Sequence, residues 1–213
     1  MYNKKEIARR VKGLYVIIDS QFVYDKDQVE LSRQVLKGGA SVIQLRDKSE
    51  DMYGLYEKAV RIRELCENYE SLFIVNDYPD IALRSEAHGV HVGQQDMPIN
   101  AARKMIKEHQ IIGKSNALLE EAFESYRQGA DYLAVGAIFP TTTKQNTRPA
   151  GLDTLREVRK ISDLPLVAIG GINIGNIKTV IDAGADAVCV VSAVIGKDNP
   201  ELATRSLVEQ FSF

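Results

Sequence analysis

The sequence predicts one α/β domain over residues 1–213, a (β/α)8 TIM barrel with a closed parallel sheet. Eight short apolar runs alternate with longer amphipathic segments, and no linker rich in Pro, Gly or Ser divides the chain. A weak repeat, in which a glycine and a small residue lead into a strand, marks GGASVIQL, GADYLAV and GADAVCVV. Eight regular strand–helix units in 213 residues favour a closed barrel over an open doubly wound sheet, the main alternative.

The eight apolar runs are the predicted strands. Each is rich in Val, Ile, Leu or Tyr and is continuous rather than alternating, which is typical of parallel strands buried on both faces. In order they read GLYVIID, SVIQL, LFIVN, GVHV, IIGKS, YLAVGA, PLVAIG and AVCVVS.

The segments between the runs are the predicted helices. DKDQVELSRQVLKGG begins with acidic residues and ends with glycines, as the helix dipole and the C′ position favour. DMYGLYEKAVRIRELCENY carries one apolar stripe at three- and four-residue spacing. PDIALRSEA is long enough for one or two helical turns. The other helical segments are PINAARKMIKEH, LLEEAFESYRQG, LDTLREVRKI, IGNIKTVIDAG and PELATRSLVEQF.

Composition and charge narrow the functional class. Lys and Arg number 27 against 29 Asp and Glu, so no basic excess indicates nucleic acid, and no apolar run reaches the ~18 residues of a membrane span. The N-terminal MYNKKEIARR lacks an apolar core of a secretory signal. Cys66 and Cys189 have no metal-like spacing, which predicts two core thiols in a reducing cytoplasm. We expect small-molecule partners and leave open a homo-oligomer.

A barrel of this type places its active site at the carboxyl ends of the strands. After the second run, Gln44, Arg46 and Lys48 alternate in QLRDK and share one face while the strand persists. Gln44 can donate to and accept from a heterocycle, and the two cations suit phosphate. The alternative for each is a charged strand end in solvent.

Two aspartates follow the third and fourth runs. Asp77 follows Asn76, and Asp96 lies in GQQDMP. Neighbouring strands bring such carboxylates together, and oxygen ligands suit Mg²⁺ that is shared with substrate phosphates. Alternatively, Asp77 is a helix N-cap and Asp96 a turn residue.

A phosphate site is predicted where the last strands end. Gly170 and Gly171 follow the seventh strand, and a small polar turn in VVSAV follows the eighth and is predicted to enter the eighth helix, a combination that forms a backbone-amide pocket in many barrels. The neighbouring hydroxyls of Thr141, Thr142 and Thr143 can bond phosphate or a heterocycle, and Lys144 can reach a second anion. A solvated turn is the alternative. Two anion sites and a metal pair predict two phosphorylated substrates, one of them polyphosphorylated.

The three histidines are predicted to be structural or incidental. His109 lies in a polar segment, His88 precedes a strand, and His91 falls within GVHVG and could point into the barrel. No Ser/His/Asp or Cys/His arrangement is visible, and Ser115 after the fifth run is weak evidence by itself.

With these residues together, the chain resembles the thiamine phosphate synthase family, also called thiamine phosphate pyrophosphorylase. The resemblance spans GLYVIID to VVSAVIG, and it is specific because seven motifs occur in family order: QLRDK, NDY, GVHVGQQD, IFPTTTK, PAGL, AIGGIN and GADAVCVVSA. It implies a barrel that joins 4-amino-5-hydroxymethyl-2-methylpyrimidine diphosphate to a thiazole phosphate, in some organisms carboxylated, with release of diphosphate. In the family, the diphosphate is understood to leave the pyrimidine methylene carbon before the thiazole nitrogen attacks that carbon.

The resemblance also implies roles for residues. Arg46, Lys48 and Lys144 are the implied catalytic cations that stabilise the leaving diphosphate. Asp77 and Asp96 are the implied Mg²⁺ ligands. The pyrimidine diphosphate is implied to contact Gln44, Leu45, Arg46, Asp47, Lys48, Asn76, Ser115 and Lys144, and the thiazole phosphate Thr141, Thr142, Thr143, Gly171, Val191 and Ser192.

One segment departs from the family. Members commonly carry Ser-x-His after the fifth strand, where this chain has Ser115, Asn116 and Ala117. The related thiazole tautomerases look as if they use that histidine as a proton carrier and lack a clear TxTK. Both features favour the synthase over a tautomerase, and the acid pair favours it over a non-catalytic phosphate-binding barrel.

Overall fold

The structure, a computed structural model, describes residues 3–23, 26–48, 51–143 and 147–211. Within these ranges eight parallel strands pair in chain order and β8 pairs with β1, which closes the barrel. The strands are β1 Gly13–Asp19, β2 Val42–Arg46, β3 Leu72–Asn76, β4 Gly89–Val92, β5 Ile111–Asn116, β6 Tyr132–Val135, β7 Leu166–Ile169 and β8 Ala187–Val190. The predicted fold class is confirmed.

Helices surround the barrel and follow the predicted segments. They are α2 Gln28–Lys37, α3 Met52–Asn68, α4 Pro79–Arg84, α5 Ile99–Met105, α6 Leu119–Arg127, α7 Gly151–Ile161, α8 Ile177–Asp182 and α9 Pro200–Val208. Asp27, at the acidic start of its segment, caps α2 by accepting hydrogen bonds from the backbone N–H groups of Val29 and Glu30.

One further helix, α1 Lys4–Arg9, was not predicted. Asn3 and Glu6 form a capping box at its start. Its apolar residues Ile7 and Ala8, with Val11 behind them, belong to the cluster inside the barrel. The helix therefore closes the amino-terminal end of the barrel, opposite the strand ends predicted to carry the site.

The core has two layers because side chains alternate across each strand. The inner layer fills the barrel and includes Tyr15, Ile74 and Tyr132. The outer layer packs between strands and helices and includes Leu45. Both cysteines are buried and free, and burial raises the pKa of each thiol, as expected of core residues.

In the described part of the chain, no helix has both the length and the apolar character needed to cross a membrane.

Candidate active site

The inward face of β2 carries Gln44 and Arg46 towards the carboxyl end of the barrel. Gln44 pairs in register with Ile17 and Ile74 of the inner layer, and its Nε2 donates to the hydroxyl of Tyr15 at 2.6 Å. Arg46 donates from Nη1 to Asp19 Oδ2 at 2.7 Å and to Gln21 Oε1 at 3.1 Å. The predicted alternation is confirmed, and the guanidinium is held by an acid that the sequence reasoning had counted only as part of a strand.

Leu45 and Asp47 have their side chains elsewhere. The Leu45 side chain is buried in the outer layer, so any contact between Leu45 and a ligand comes from its backbone. The buried carboxylate of Asp47 forms an ion pair with Lys58 of α3. Their assignment to the pyrimidine diphosphate stays a prediction.

Asp77, Asp96 and Lys48 meet at the mouth of the barrel. Lys48 Nζ donates to Asp77 Oδ2, and the Asp77 and Asp96 carboxylates lie within hydrogen-bonding contact. Asp77 has a left-handed backbone, with φ of 64°, and its N–H donates to the carbonyl of His91 at 2.8 Å. No side-chain cap of α4 is observed, so the helix-cap alternative for Asp77 is not supported.

Burial and the neighbouring charges change the acidity of Asp77. Burial raises the pKa of Asp77, the Lys48 ammonium lowers it, the Asp96 carboxylate raises it, and the net shift is upward. Like charges sharing a site in this way favour the binding of a cation. In the described residues no group of three or more His, Cys, Asp or Glu could hold a metal, so an ion here would share its remaining coordination with water or phosphate oxygens.

Lys114 of β5 is a buried cation that the sequence reasoning missed. Its Nζ donates to the carbonyl of Gly93 at 2.7 Å, and the Gly93 N–H donates to Asp96 Oδ2 at 2.7 Å. Burial lowers the pKa of Lys114, while Asp96 and Asp77 raise it, with a net downward shift. A lysine inside an apolar run, IIGKS, is the signal that could have indicated a buried partner.

Ser115 lies in the inner layer beside His91. Its Oγ is 2.8 Å from His91 Nε2, and His91 Nδ1 is 2.9 Å from the hydroxyl of Tyr132. His91 therefore does point into the barrel, and a Ser–His pair exists that the sequence did not reveal. Asn76, paired in register with His91, ends β3 on the same inner face.

Asn116, in the segment that departs from the family, has a structural role. Its side chain is buried, donates to the carbonyl of Lys114 at 2.9 Å and accepts from Ser125 Oγ at 2.7 Å. Gln94 Nε2 donates to the same Asn116 oxygen at 3.1 Å. Asn116 thus joins the loop after β4 to the end of β5 and to α6.

The threonine loop, Thr141–Thr143, and the turn after β8 are brought together. Thr143 Oγ1 donates to Ser192 Oγ at 3.3 Å, and the Thr143 N–H donates to Thr141 Oγ1 at 3.2 Å. Thr142 is exposed beside them. Lys144 lies outside the described residues, so its assignment stays a prediction.

The glycine pair after β7 supports the threonine loop. Gly170 and Gly171 have φ of 104° and 66°, and a Cβ on Gly171 would lie 2.5 Å from the carbonyl oxygen of Pro140. Val191 follows β8 and packs partly buried against the inner layer. The next helix, α9, begins only at Pro200, so the predicted small polar turn exists but does not lead directly into a helix.

Comparisons with known proteins identify the family and the fold of the chain. The family described as thiamine monophosphate synthase matches residues 14–194. The thiamine-phosphate synthase of Alkaliphilus oremlandii is 43% identical over 92% of this chain and 93% of its own, and that of Pyrococcus abyssi is 46% identical over 91% and 92%. The solved structure of thiamine phosphate pyrophosphorylase from Pyrococcus furiosus is 40% identical and covers 96% of each chain, with a TM-score of 0.88.

The motifs, the closed barrel and these relatives agree over nearly the whole length of the sequence, and the chain belongs to the thiamine monophosphate synthase family.

Proposed function

We propose that the chain joins 4-amino-5-hydroxymethyl-2-methylpyrimidine diphosphate to a thiazole phosphate, giving thiamine phosphate and diphosphate. The observation that carries this proposal is the presence of two different anion-binding groups on one rim. Lys48 contacts Asp77 of the acid pair and Arg46 ends β2 with Asp19 as its partner, whereas the Thr143–Ser192 hydroxyls lie in the loops that follow β6 and β8. Such a rim suits one diphosphate and one monophosphate ligand.

The reaction needs charge stabilisation rather than proton transfer. The bond from the pyrimidine methylene carbon to the diphosphate oxygen breaks, and its electron pair leaves with the diphosphate. The thiazole nitrogen supplies the pair for the new carbon–nitrogen bond. Arg46 and Lys48, with Lys144 predicted beside them, are the cations that would stabilise the departing anion.

A magnesium ion fits the acid pair. Asp77 and Asp96 are oxygen donors in mutual contact, and the pKa of Asp77 is raised first by burial and also by the Asp96 carboxylate, both of which a bound cation would offset. When bound, Mg²⁺ would neutralise charge on the diphosphate and orient it. Mg²⁺ dependence is part of the proposal.

The remaining residues orient the substrates. Gln44 and Asn76 face the barrel interior, where an aminopyrimidine would lie, and the threonine loop with Gly171 borders the monophosphate site. Holding both substrates in line lowers the entropic cost of reaction.

The alternatives are less well supported. A thiazole tautomerase needs a proton carrier, but Ala117 cannot serve, and both ring nitrogens of His91 are engaged by Tyr132 and Ser115. A non-catalytic phosphate-binding barrel would have no use for the Lys48, Asp77 and Asp96 cluster. We also retain a cytoplasmic location and a homo-oligomer as predictions.

The test is diphosphate release from purified protein given both substrates and Mg²⁺, with each omitted in turn. We expect release only when all three are present, with thiamine phosphate formed in equal amount. Release without the thiazole phosphate, or thiazole isomerisation without any condensation, would contradict the proposal.

A further inference from the structure

A continuous series of hydrogen bonds, here called the relay, crosses the barrel interior beneath the mouth. Gln44 Nε2 is 2.6 Å from the Tyr15 hydroxyl, which is 3.1 Å from the Tyr132 hydroxyl. The Tyr132 hydroxyl is 2.9 Å from His91 Nδ1, and His91 Nε2 is 2.8 Å from Ser115 Oγ. These hydrogen bonds join β2 and β1, through Tyr132 of β6, to β4 and β5, with one proposed ligand-binding residue at each end, Gln44 and Ser115.

The packing inside the barrel leaves room for the two tyrosines of the relay. Gly113 lies under the Tyr132 ring, where a Cβ would come within 1.9 Å of its Cζ atom. Tyr15 and Tyr132 are both buried, in an interior where most of the neighbouring side chains are apolar. Burial of two tyrosine hydroxyls is costly unless both are hydrogen-bonded, so their pairing is a requirement of the fold.

In the relay, donor and acceptor can be assigned at each hydrogen bond, and all the bonds run in the same direction, from Gln44 towards Ser115. The amide nitrogen of Gln44 can only donate, so the Tyr15 oxygen accepts from it. Each hydroxyl carries a single proton, and burial raises the pKa of both phenols, which keeps those protons in place. In the described residues neither hydroxyl has a further hydrogen-bond partner, so Tyr15 donates to Tyr132 and Tyr132 donates to His91 Nδ1.

This direction determines the state of the last two residues. Because His91 Nδ1 accepts, the proton of the neutral imidazole is on Nε2, which donates to Ser115 Oγ. The Ser115 hydroxyl proton is then free to bind an anion at the mouth. At the other end, the Gln44 amide keeps its carbonyl oxygen free for an amino group.

We propose that Tyr15, Tyr132 and His91 are positioning residues, which orient Gln44 to accept from the pyrimidine amino group and Ser115 to donate to the diphosphate. The ligand assignments rest on the proposed function, whereas the direction of the relay does not. The relay therefore orients, before the substrate binds, the side chain that contacts its pyrimidine and the side chain that contacts its diphosphate.

The opposite direction makes a different prediction. If Gln44 presented its oxygen to Tyr15, every bond would reverse, His91 would carry its proton on Nδ1, and the Ser115 proton would be bound to His91. The tautomer of His91 in the ligand-free protein therefore decides between the two directions.

The experiment is ¹H–¹⁵N correlation NMR of the imidazoles in the full chain without ligands. The sequence has three histidines, and His88 is an internal reference because its Nδ1 accepts from the Phe73 N–H at 3.0 Å. We expect His91 to show the Nε2–H tautomer, like His88. An Nδ1–H tautomer at His91 would overturn the proposal.

Gln44→Glu is the matched variant, because it replaces the amide with an acceptor of the same shape. Tyr15 must then donate to the introduced carboxylate, so we expect His91 to change to the Nδ1–H tautomer while His88 is unchanged. Tyr132→Phe interrupts the relay, and we expect both tautomers of His91 to be populated. If His91 keeps its wild-type tautomer in both variants, the relay does not exist.

Steady-state kinetics test the link to function separately. Tyr132→Phe should raise KM for the pyrimidine diphosphate about tenfold, as for the loss of a hydrogen bond to a charged group, and leave KM for the thiazole phosphate unchanged. Equal increases in both would refute the positioning role. A wild-type protein without synthase activity would refute the proposed function but leave the tautomer result intact.

Discussion

The ammonium group of Lys114 donates to the carbonyl oxygen of Gly93 at 2.7 Å, in the loop that carries Asp96. Gly93 in turn donates its N–H to Asp96 Oδ2 at 2.7 Å. Gln94 is tied to the carbonyl of Ser115 at 2.7 Å. The loop after β4 is therefore held by contacts to β5, and the Asp96 carboxylate is oriented by the protein itself.

Asp96→Asn should weaken metal binding without loosening the fold. The introduced amide oxygen can still accept from Gly93, so the loop keeps its conformation, while one negative charge of the acid pair is lost. We expect at least about tenfold weaker binding of Mn²⁺, used as a paramagnetic substitute for Mg²⁺ and measured by electron paramagnetic resonance. Asp153→Asn, which removes a fully exposed carboxylate on α7, is the control. Unchanged Mn²⁺ affinity in Asp96→Asn would exclude Asp96 as a ligand.

Arg46→Lys should lower kcat/KM although the charge is kept. One guanidinium nitrogen contacts both Asp19 and Gln21, and a planar guanidinium carries further N–H donors for a phosphate, which an ammonium cannot reproduce. We expect a loss of about tenfold to a hundredfold in kcat/KM for the pyrimidine diphosphate. Arg33→Lys, at an exposed ion pair on α2, should have no effect. Wild-type kinetics in Arg46→Lys would show that only the charge matters.

The sequence allowed the barrel to be predicted because continuous apolar runs and helix-ending glycines are local signals. Helix α1 was missed because only Ile7 and Ala8 are buried in a charged, two-turn segment whose stability comes from closing the barrel. Such stabilisation is tertiary, and short helices are marginal by themselves.

The sequence predicts which strand ends carry the site, but it does not predict which side chains contact one another there. Topology places Gln44, Asp77 and Asp96 at one mouth whatever their side chains do. The partners Asp19, Lys114 and Tyr132 were read as strand or core residues, because cross-strand register decides which side chains meet. His91 shows this most clearly, since its two partners come from β5 and β6.

His88 should make the fold less stable in mild acid. Burial lowers the pKa of His88 to about 4 from the ordinary 6.5, with Arg10 and Arg63 adding to the shift. The unfolded chain therefore binds the proton more tightly. The stability contributed by neutral His88 is complete above pH 6.5 and is lost as the pH falls from 6.5 towards 4, by about 3 kcal/mol in all.

Urea unfolding at several pH values between 4 and 7 checks this expectation. His88→Asn keeps an acceptor for the Phe73 N–H but does not titrate, so its free energy of unfolding should start lower and decline less over the same interval. Parallel declines in the two proteins would assign the acid sensitivity to other groups.

Gly171→Ala should impair both stability and the monophosphate site. The glycine has φ of 66°, and an added Cβ would lie 2.5 Å from the Pro140 oxygen and 2.8 Å from Phe139 Cβ, in the segment that leads into the threonine loop.

Gly129 is the matched control, because its φ is 86° but its added Cβ would meet nothing within 4 Å. Gly129→Ala should lose only about 1 kcal/mol for the left-handed backbone. Gly171→Ala should lose about 1–3 kcal/mol more from overpacking. We expect the clash at Pro140 to shift the threonine loop that follows it, so KM for the thiazole phosphate should rise in Gly171→Ala alone. Urea unfolding and initial-rate kinetics on the two variants separate these effects. Equal stability losses with unchanged KM values would mean that the close approach of β7 to the threonine loop has no part in phosphate binding.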